Sequence, residues 1–146
     1  MHFELSKRLF EEQTIFCTNT RLLEERKWRV VLHEYPILVV EFTQANRSPV
    51  QIKMICEDWD DLPPSILVLD REGKIMDQKL FPKGHGLFNG SSHPKTGQPF
   101  ICSPGALEYH QHSSHLNDIW ENYKTKSGYD LGGILTRIWN AWKLTR

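Results

Sequence analysis

The fold turns on Trp28-Arg29-Val30-Val31-Leu32-His33-Glu34-Tyr35-Pro36-Ile37-Leu38-Val39-Val40-Glu41-Phe42-Thr43. It is rich in β-branched and aromatic residues, which favour extended backbone, and Pro36 divides it into two runs. Trp28–Tyr35 reads as one strand. Ile37–Thr43, largely apolar, reads as a second strand covered on both faces. Downstream, 44–49 reads as a polar connection. Val50-Gln51-Ile52-Lys53-Met54-Ile55-Cys56 alternates cleanly as a third strand. An acidic, proline-ended segment from Glu57 to Pro64 leads into Ser65–Asp70 as a fourth strand. Upstream, Leu5, Leu9, Phe16 and Leu23 mark a broken helical stripe over about 3–25, with an interruption near Thr18-Asn19-Thr20.

Beyond the strands, Asp70–Gly73 is a turn, and the chain between Lys83 and Gly97 reads as a long irregular surface segment. Asn117 and Asp118 are capping candidates for a short helix at 119–123. Leu131, Ile134, Leu135, Ile138, Trp139 and Trp142 recur at three- and four-residue steps, the stripe of a terminal core helix. Strands grouped together between helices predict an α+β domain. Its order is an N-terminal helix, a four-stranded antiparallel meander sheet, an active-site loop and C-terminal helices.

The chain has 146 residues, 39% of them hydrophobic and 25% charged, with formal net charge zero. That size suits a single domain over 1–146, and the balanced charge gives no reason to expect nucleic acid or an anionic membrane as partner. No apolar run approaches the roughly 18 residues of a membrane span. Met1-His2-Phe3-Glu4 lacks the pattern of a signal peptide, and three scattered cysteines make no disulfide framework, so a reducing cytoplasm is the expected location.

The chemistry concentrates between His93 and His112. Cys102 comes after a Gly/Pro-punctuated approach, and a Ser103-Pro104-Gly105 turn signal lies just beyond it. Glu108, His110 and His112 then stand on a two-residue step. In an extended segment they would share a face, and the turn would bring that face to the thiol. A thiol beside acid–base groups suits nucleophilic catalysis: a protonated imidazole favours the thiolate, and a neutral one accepts a proton. Cys102 is the expected nucleophile, His110 the first acid–base candidate, and Glu108 and His112 supporting groups.

The same residues, Cys102, Glu108, His110 and His112, also make a tetrahedral zinc set in a binding module, with His115 widening the ligand choice. A cysteine hydrolase using Cys102 and His110 is a third reading. Cys17 and Cys56 lack such surroundings and read as structural. His2, His33 and His85 read as surface or turn residues, and His93 as fixing its loop beside Pro94.

Trp59-Asp60-Asp61-Leu62-Pro63-Pro64 before the fourth strand, His93-Pro94, Gly97 and Phe100-Ile101-Cys102 resemble the ubiquitin-conjugating enzyme family. There a proline-rich corner precedes the fourth strand, and a His-Pro-Asn motif leads to the catalytic cysteine. Lys95 stands in place of that asparagine, whose side chain in the family supports the oxyanion or the nearby loop. Backbone amides or Lys95 itself are candidate replacements. The spacing from His93 to Cys102 is about one residue short, and the last helices of longer family members are missing.

The ordered Cys102, Glu108, His110, His112 row more closely resembles a bacterial group with a Cys-Glu-His-His signature. The resemblance implies a thioester-forming Cys102 and no required cofactor. It implies three partners: an activating enzyme, a ubiquitin-like protein and an acceptor protein amine. It also implies an association with antiphage defence. In the wider family the first helix helps dock the activating enzyme, which makes the Lys7, Arg8, Glu11 and Glu12 region a candidate surface.

Overall fold

The computed structural model describes residues 2–146 and has an α+β architecture with four α-helices and a four-stranded antiparallel sheet. Helix α1 (Phe3–Gln13) and helix α2 (Thr20–Arg26) precede the sheet. The helical stripe expected over about 3–25 is thus two helices, with the interruption expected near Thr18-Asn19-Thr20 ending at the Asn19 cap. The break falls at Thr14, whose hydroxyl donates back to Phe10 O at 2.7 Å, so side chain and backbone share the last turn's carbonyl. A 3₁₀ turn at Ile15–Thr18 comes next. Asn19 then restarts the chain as an N-cap, accepting from Leu22 N–H at 3.1 Å.

Strands β1 (Trp28–Glu34), β2 (Ile37–Gln44), β3 (Arg47–Ile55) and β4 (Ser65–Leu69) each pair with their sequence neighbour. Strand β3 begins three residues before the expected start at Val50. Gln44 pairs with Arg47 across a two-residue turn, which Asn46 closes in the left-handed region at φ 64°. Asparagine tolerates that conformation better than other residues with a Cβ.

Register explains the alternation. Val40, Ile52 and Val68 form one cross-strand row on the inner face, and Leu38, Met54 and Ile66 form another. All six are buried. Against them lies helix α4 (Leu131–Lys143), which buries Leu131, Ile134, Leu135, Ile138, Ala141 and Trp142. The expected stripe is present, with Trp139 at its half-buried margin, edge-on to Trp28. On the sheet's other face the row continues as Arg29, Glu41 and Gln51, and both partners bond the Glu41 carboxylate. The start of α4 depends on glycine: a Cβ at Gly133 would stand 2.4 Å from Gly128 O.

The segment after β4 is long and mostly irregular. It holds a two-stranded ladder, β5 (Phe88–Asn89) with β6 (Phe100–Ile101), and the short helix α3 (Leu107–Gln111). Around 119–123 only a 3₁₀ turn forms, at Trp120–Asn122, and no side chain caps it. The Asp118 carboxylate is occupied by Tyr109 and Tyr123. Among the described residues no helix is long and apolar enough to cross a membrane.

Candidate functional site

Cys102 sits where β6 ends. Phe88 pairs with Ile101 and Asn89 with Phe100, and Cys102 N–H continues the ladder by donating to Leu87 O at 2.7 Å. Phe88 and Ile101 are buried in the core, so the ladder anchors the cysteine backbone while its side chain stays half-buried. The chain then doubles back as its turn signal predicts. Ala106 N–H donates to Ser103 O at 3.1 Å, and Gly105 adopts φ 98°. A side chain there would be strained and would meet Ile134 at 3.1 Å.

Beyond the turn the chain is helical, not extended. Tyr109 N–H and His110 N–H both point to Ala106 O, which closes α3 over Glu108 and His110. A helix advances about 100° per residue, so two-residue spacing separates side chains instead of aligning them. Glu108 and His110 therefore face different surroundings, and His112 lies beyond the helix in extended backbone.

The buried Glu108 carboxylate faces the sheet. Its Oε2 accepts from Ser65 Oγ at 2.6 Å and its Oε1 from Ile66 N–H at 2.9 Å. It ties α3 to the start of β4. His110 is a second tie: its Nε2 accepts from Gly105 N–H at 3.1 Å, and its Nδ1 donates to Asp118 O at 2.7 Å. That pairing assigns the ring hydrogen to Nδ1. His93 works the same way. Buried, it accepts at Nδ1 from the N–H groups of Lys95 and Thr96 at 3.0 and 3.3 Å, and donates from Nε2 to Glu108 O at 2.8 Å. It holds its loop, while Lys95 is exposed.

His112 accepts from Ser114 N–H at 3.0 Å and stacks on Phe100 with centroids 5.5 Å apart. The imidazole that reaches the thiol is His115, whose Nε2 lies 3.8 Å from Cys102 Sγ. Its ring stacks on Tyr109 at 4.2 Å, and His112 lies 5.6 Å from it on another side. Tyr109 in turn donates to Asp118, which also accepts from Tyr123. Those two phenols hold the Asp118 carboxyl below its ordinary range. Burial, then the bond to Asp118, pushes the Tyr109 hydroxyl up, so it remains a donor.

The structure thus groups Cys102 with His115, with His112 at the rim, and sets Glu108 and His110 behind them. From sequence His115 stands only as an extra ligand, because its three-residue spacing from His112 fits no extended row. Asn89 lies on the neighbouring strand, diagonally across the ladder from Cys102, yet its Asn-Gly-Ser context carries only a turn signal. Burial raises the Cys102 thiol above its ordinary value, and side-chain hydrogen bonding by Asn89 opposes this. Cys17 and Cys56 are pushed up by burial to about 11 and about 12.

Among the described residues, no three His, Cys, Asp or Glu side chains are placed to hold a metal ion together. The set Cys102, Glu108, His110 and His112 is not gathered, because the Glu108 oxygens and both His110 nitrogens bond to neighbouring groups. The arrangement offers a half-exposed thiol, an imidazole within proton-transfer reach and a rigid backbone around both. The chain matches no protein-family model and no curated protein.

Proposed function

We propose that this protein is a ubiquitin-conjugating-type acyl carrier, accepting a ubiquitin-like protein as a thioester on Cys102 and passing it to an amine. The observation that carries the reading is the half-buried Cys102 thiol with His115 Nε2 3.8 Å away, fixed at the end of an anchored β-ladder. The element order supports it: helices, then four sequentially paired antiparallel strands, then the cysteine loop, then α4. That is the order expected of the family that Trp59–Pro64 and His93–Cys102 resemble.

In the loading step the Cys102 sulfur attacks the carbonyl carbon of the thioester carried by the activating enzyme. The Cys102 proton passes to His115 Nε2 and on to the departing thiolate. In the transfer step the acceptor amine attacks the new thioester, the carbon–sulfur bond breaks, and an amide forms. One amine proton passes through His115 to the Cys102 sulfur, which regenerates the thiol. Here Glu108, His110 and His93 are positioning residues, and His112 borders the acceptor side. The setting we infer is a bacterial, cytoplasmic conjugation system of the kind associated with defence against phage.

The test is incubation with the cognate activating enzyme, ATP and the ubiquitin-like protein. An adduct that thiols cleave, replaced by a thiol-resistant ester in Cys102→Ser, supports the reading. The same labile adduct persisting in Cys102→Ser rejects it.

A further inference from the structure

The β5–β6 ladder places a second polar side chain, Asn89, on the same side as Cys102. Asn89 pairs with Phe100, two residues before Cys102, while Cys102 N–H bonds to Leu87 O on the opposite strand. Alternation then places Asn89 and Cys102 on the same side, as diagonal neighbours, with Phe88 and Ile101 turned into the core. The Asn89 carboxamide cannot rotate freely. Its Oδ1 accepts from Ser91 N–H at 2.9 Å, which leaves the Nδ2 hydrogens as the face available to the thiol. The next carbonyl, Gly90 O, is held by Gln78 Nε2 at 2.6 Å, so the strand end is fixed as well.

We infer that Asn89 is a further catalytic residue: its carboxamide N–H donates to the Cys102 sulfur and favours the thiolate over the thiol. The groups that meet the thiol divide the work. His115 takes the proton, Tyr109 backs the His115 ring and stays a neutral phenol, and Asn89 stabilises the charge left on sulfur. Hydrogen bonding by Asn89 opposes the burial that disfavours that charge. Donors to an anion are stronger than donors to a neutral acceptor, so the contact gains strength as the sulfur ionises. Lys95, not an asparagine, directly follows His93-Pro94, and this asparagine comes instead from β5.

The inference rests on Cys102 as the nucleophile, but its test reads the thiol directly and stands whether or not an activating enzyme loads it. Iodoacetamide labelling of Cys102, in which sulfur bonds to the methylene carbon and iodide leaves, is followed against pH by peptide mapping. Asn89→Ser is neutral, keeps an oxygen for Ser91 N–H and loses the carboxamide donor. Its labelling midpoint should rise by about half a unit, a roughly threefold slower reaction at pH 7.5. Asn89→Asp keeps the same acceptor, adds a like charge and should rise further. An unmoved or lowered midpoint in Asn89→Ser overturns the inference, whatever Asn89→Asp does, because charge alone then explains the aspartate. The unfolding midpoint qualifies each variant, and Asn89→Thr repeats the neutral test if the serine variant does not fold.

Discussion

His115 Nε2 stands 3.8 Å from Cys102 Sγ, while the same ring lies flat against Tyr109, with planes 17° apart. The stack fixes the plane of the imidazole and so aims one nitrogen at the sulfur. A base that moves the acceptor's proton contributes roughly 100-fold or more. His115→Ala should therefore load slowly and, once loaded, discharge the thioester to amine about 100-fold more slowly, as read in a single-turnover chase. Discharge at the wild-type rate would mean that the imidazole does no proton transfer.

The three thiols should separate on a pH axis. Burial raises all of them, so each remains a neutral thiol until the pH climbs past its own shifted value. Cys102 is the least enclosed and is helped by Asn89, whereas Cys17 and Cys56 lie at about 11 and about 12. Labelling of the folded protein at pH 8 to 9 should modify Cys102 first and spare Cys56. The same shifts have a stability consequence. A thiol whose value is raised on folding stabilises the fold fully below the unfolded value of about 8.5. That contribution fades as pH rises toward 12. Denaturant midpoints should fall over that alkaline window, and less steeply in Cys56→Ala. Labelling of Cys56 ahead of Cys102 would contradict the burial assignment.

Glu108 should matter to stability before chemistry. Its two oxygens take Ser65 Oγ–H and Ile66 N–H at the first residues of β4. Removing the carboxylate leaves buried donors without acceptors, at about 1–3 kcal/mol each. Glu108→Ala should lower the unfolding free energy by about 3 kcal/mol, and Glu108→Gln, which keeps one acceptor oxygen, by less. Folded Glu108→Gln should still load and discharge. Full stability with lost discharge in that variant would instead make Glu108 a base.

The contrast between legible and hidden parts comes from which interactions decide each element. Leu38, Val40 and Phe42 alternate against Met54, Ile52 and Val50 because burial enforces a period, and a period survives in sequence. The same holds for Leu131 to Trp142 in α4. Helix α3 is five residues long, too short for a period, and local bonds to Ala106 O decide it. The spacing of Glu108, His110 and His112 fits a strand equally well. The pairing of Cys102 with His115 depends on two tight turns and the Tyr109 stack, and none of these leaves a spacing signature. Asn89 is set diagonally to Cys102 by the β5–β6 register, which two-residue strands do not announce.

His110 supplies the sharpest distinction between a group that reacts and one that positions. Its ring spans Gly105 N–H, inside the turn after the cysteine, and Asp118 O, in the loop after His115, so it sets the separation of the two loops. His110→Phe keeps an aromatic ring beside Tyr109, Trp120 and Tyr123 but leaves both backbone groups unpaired. It should cost about 2 kcal/mol of stability and slow discharge as Cys102 and His115 drift out of register. Free imidazole in the buffer separates the cases. It can replace a missing side-chain base, so it should partly restore discharge in His115→Ala. It cannot restore a loop spacing, so it should leave His110→Phe unchanged. Rescue of His110→Phe by imidazole, with none for His115→Ala, would reverse the two roles and make His110 the proton acceptor.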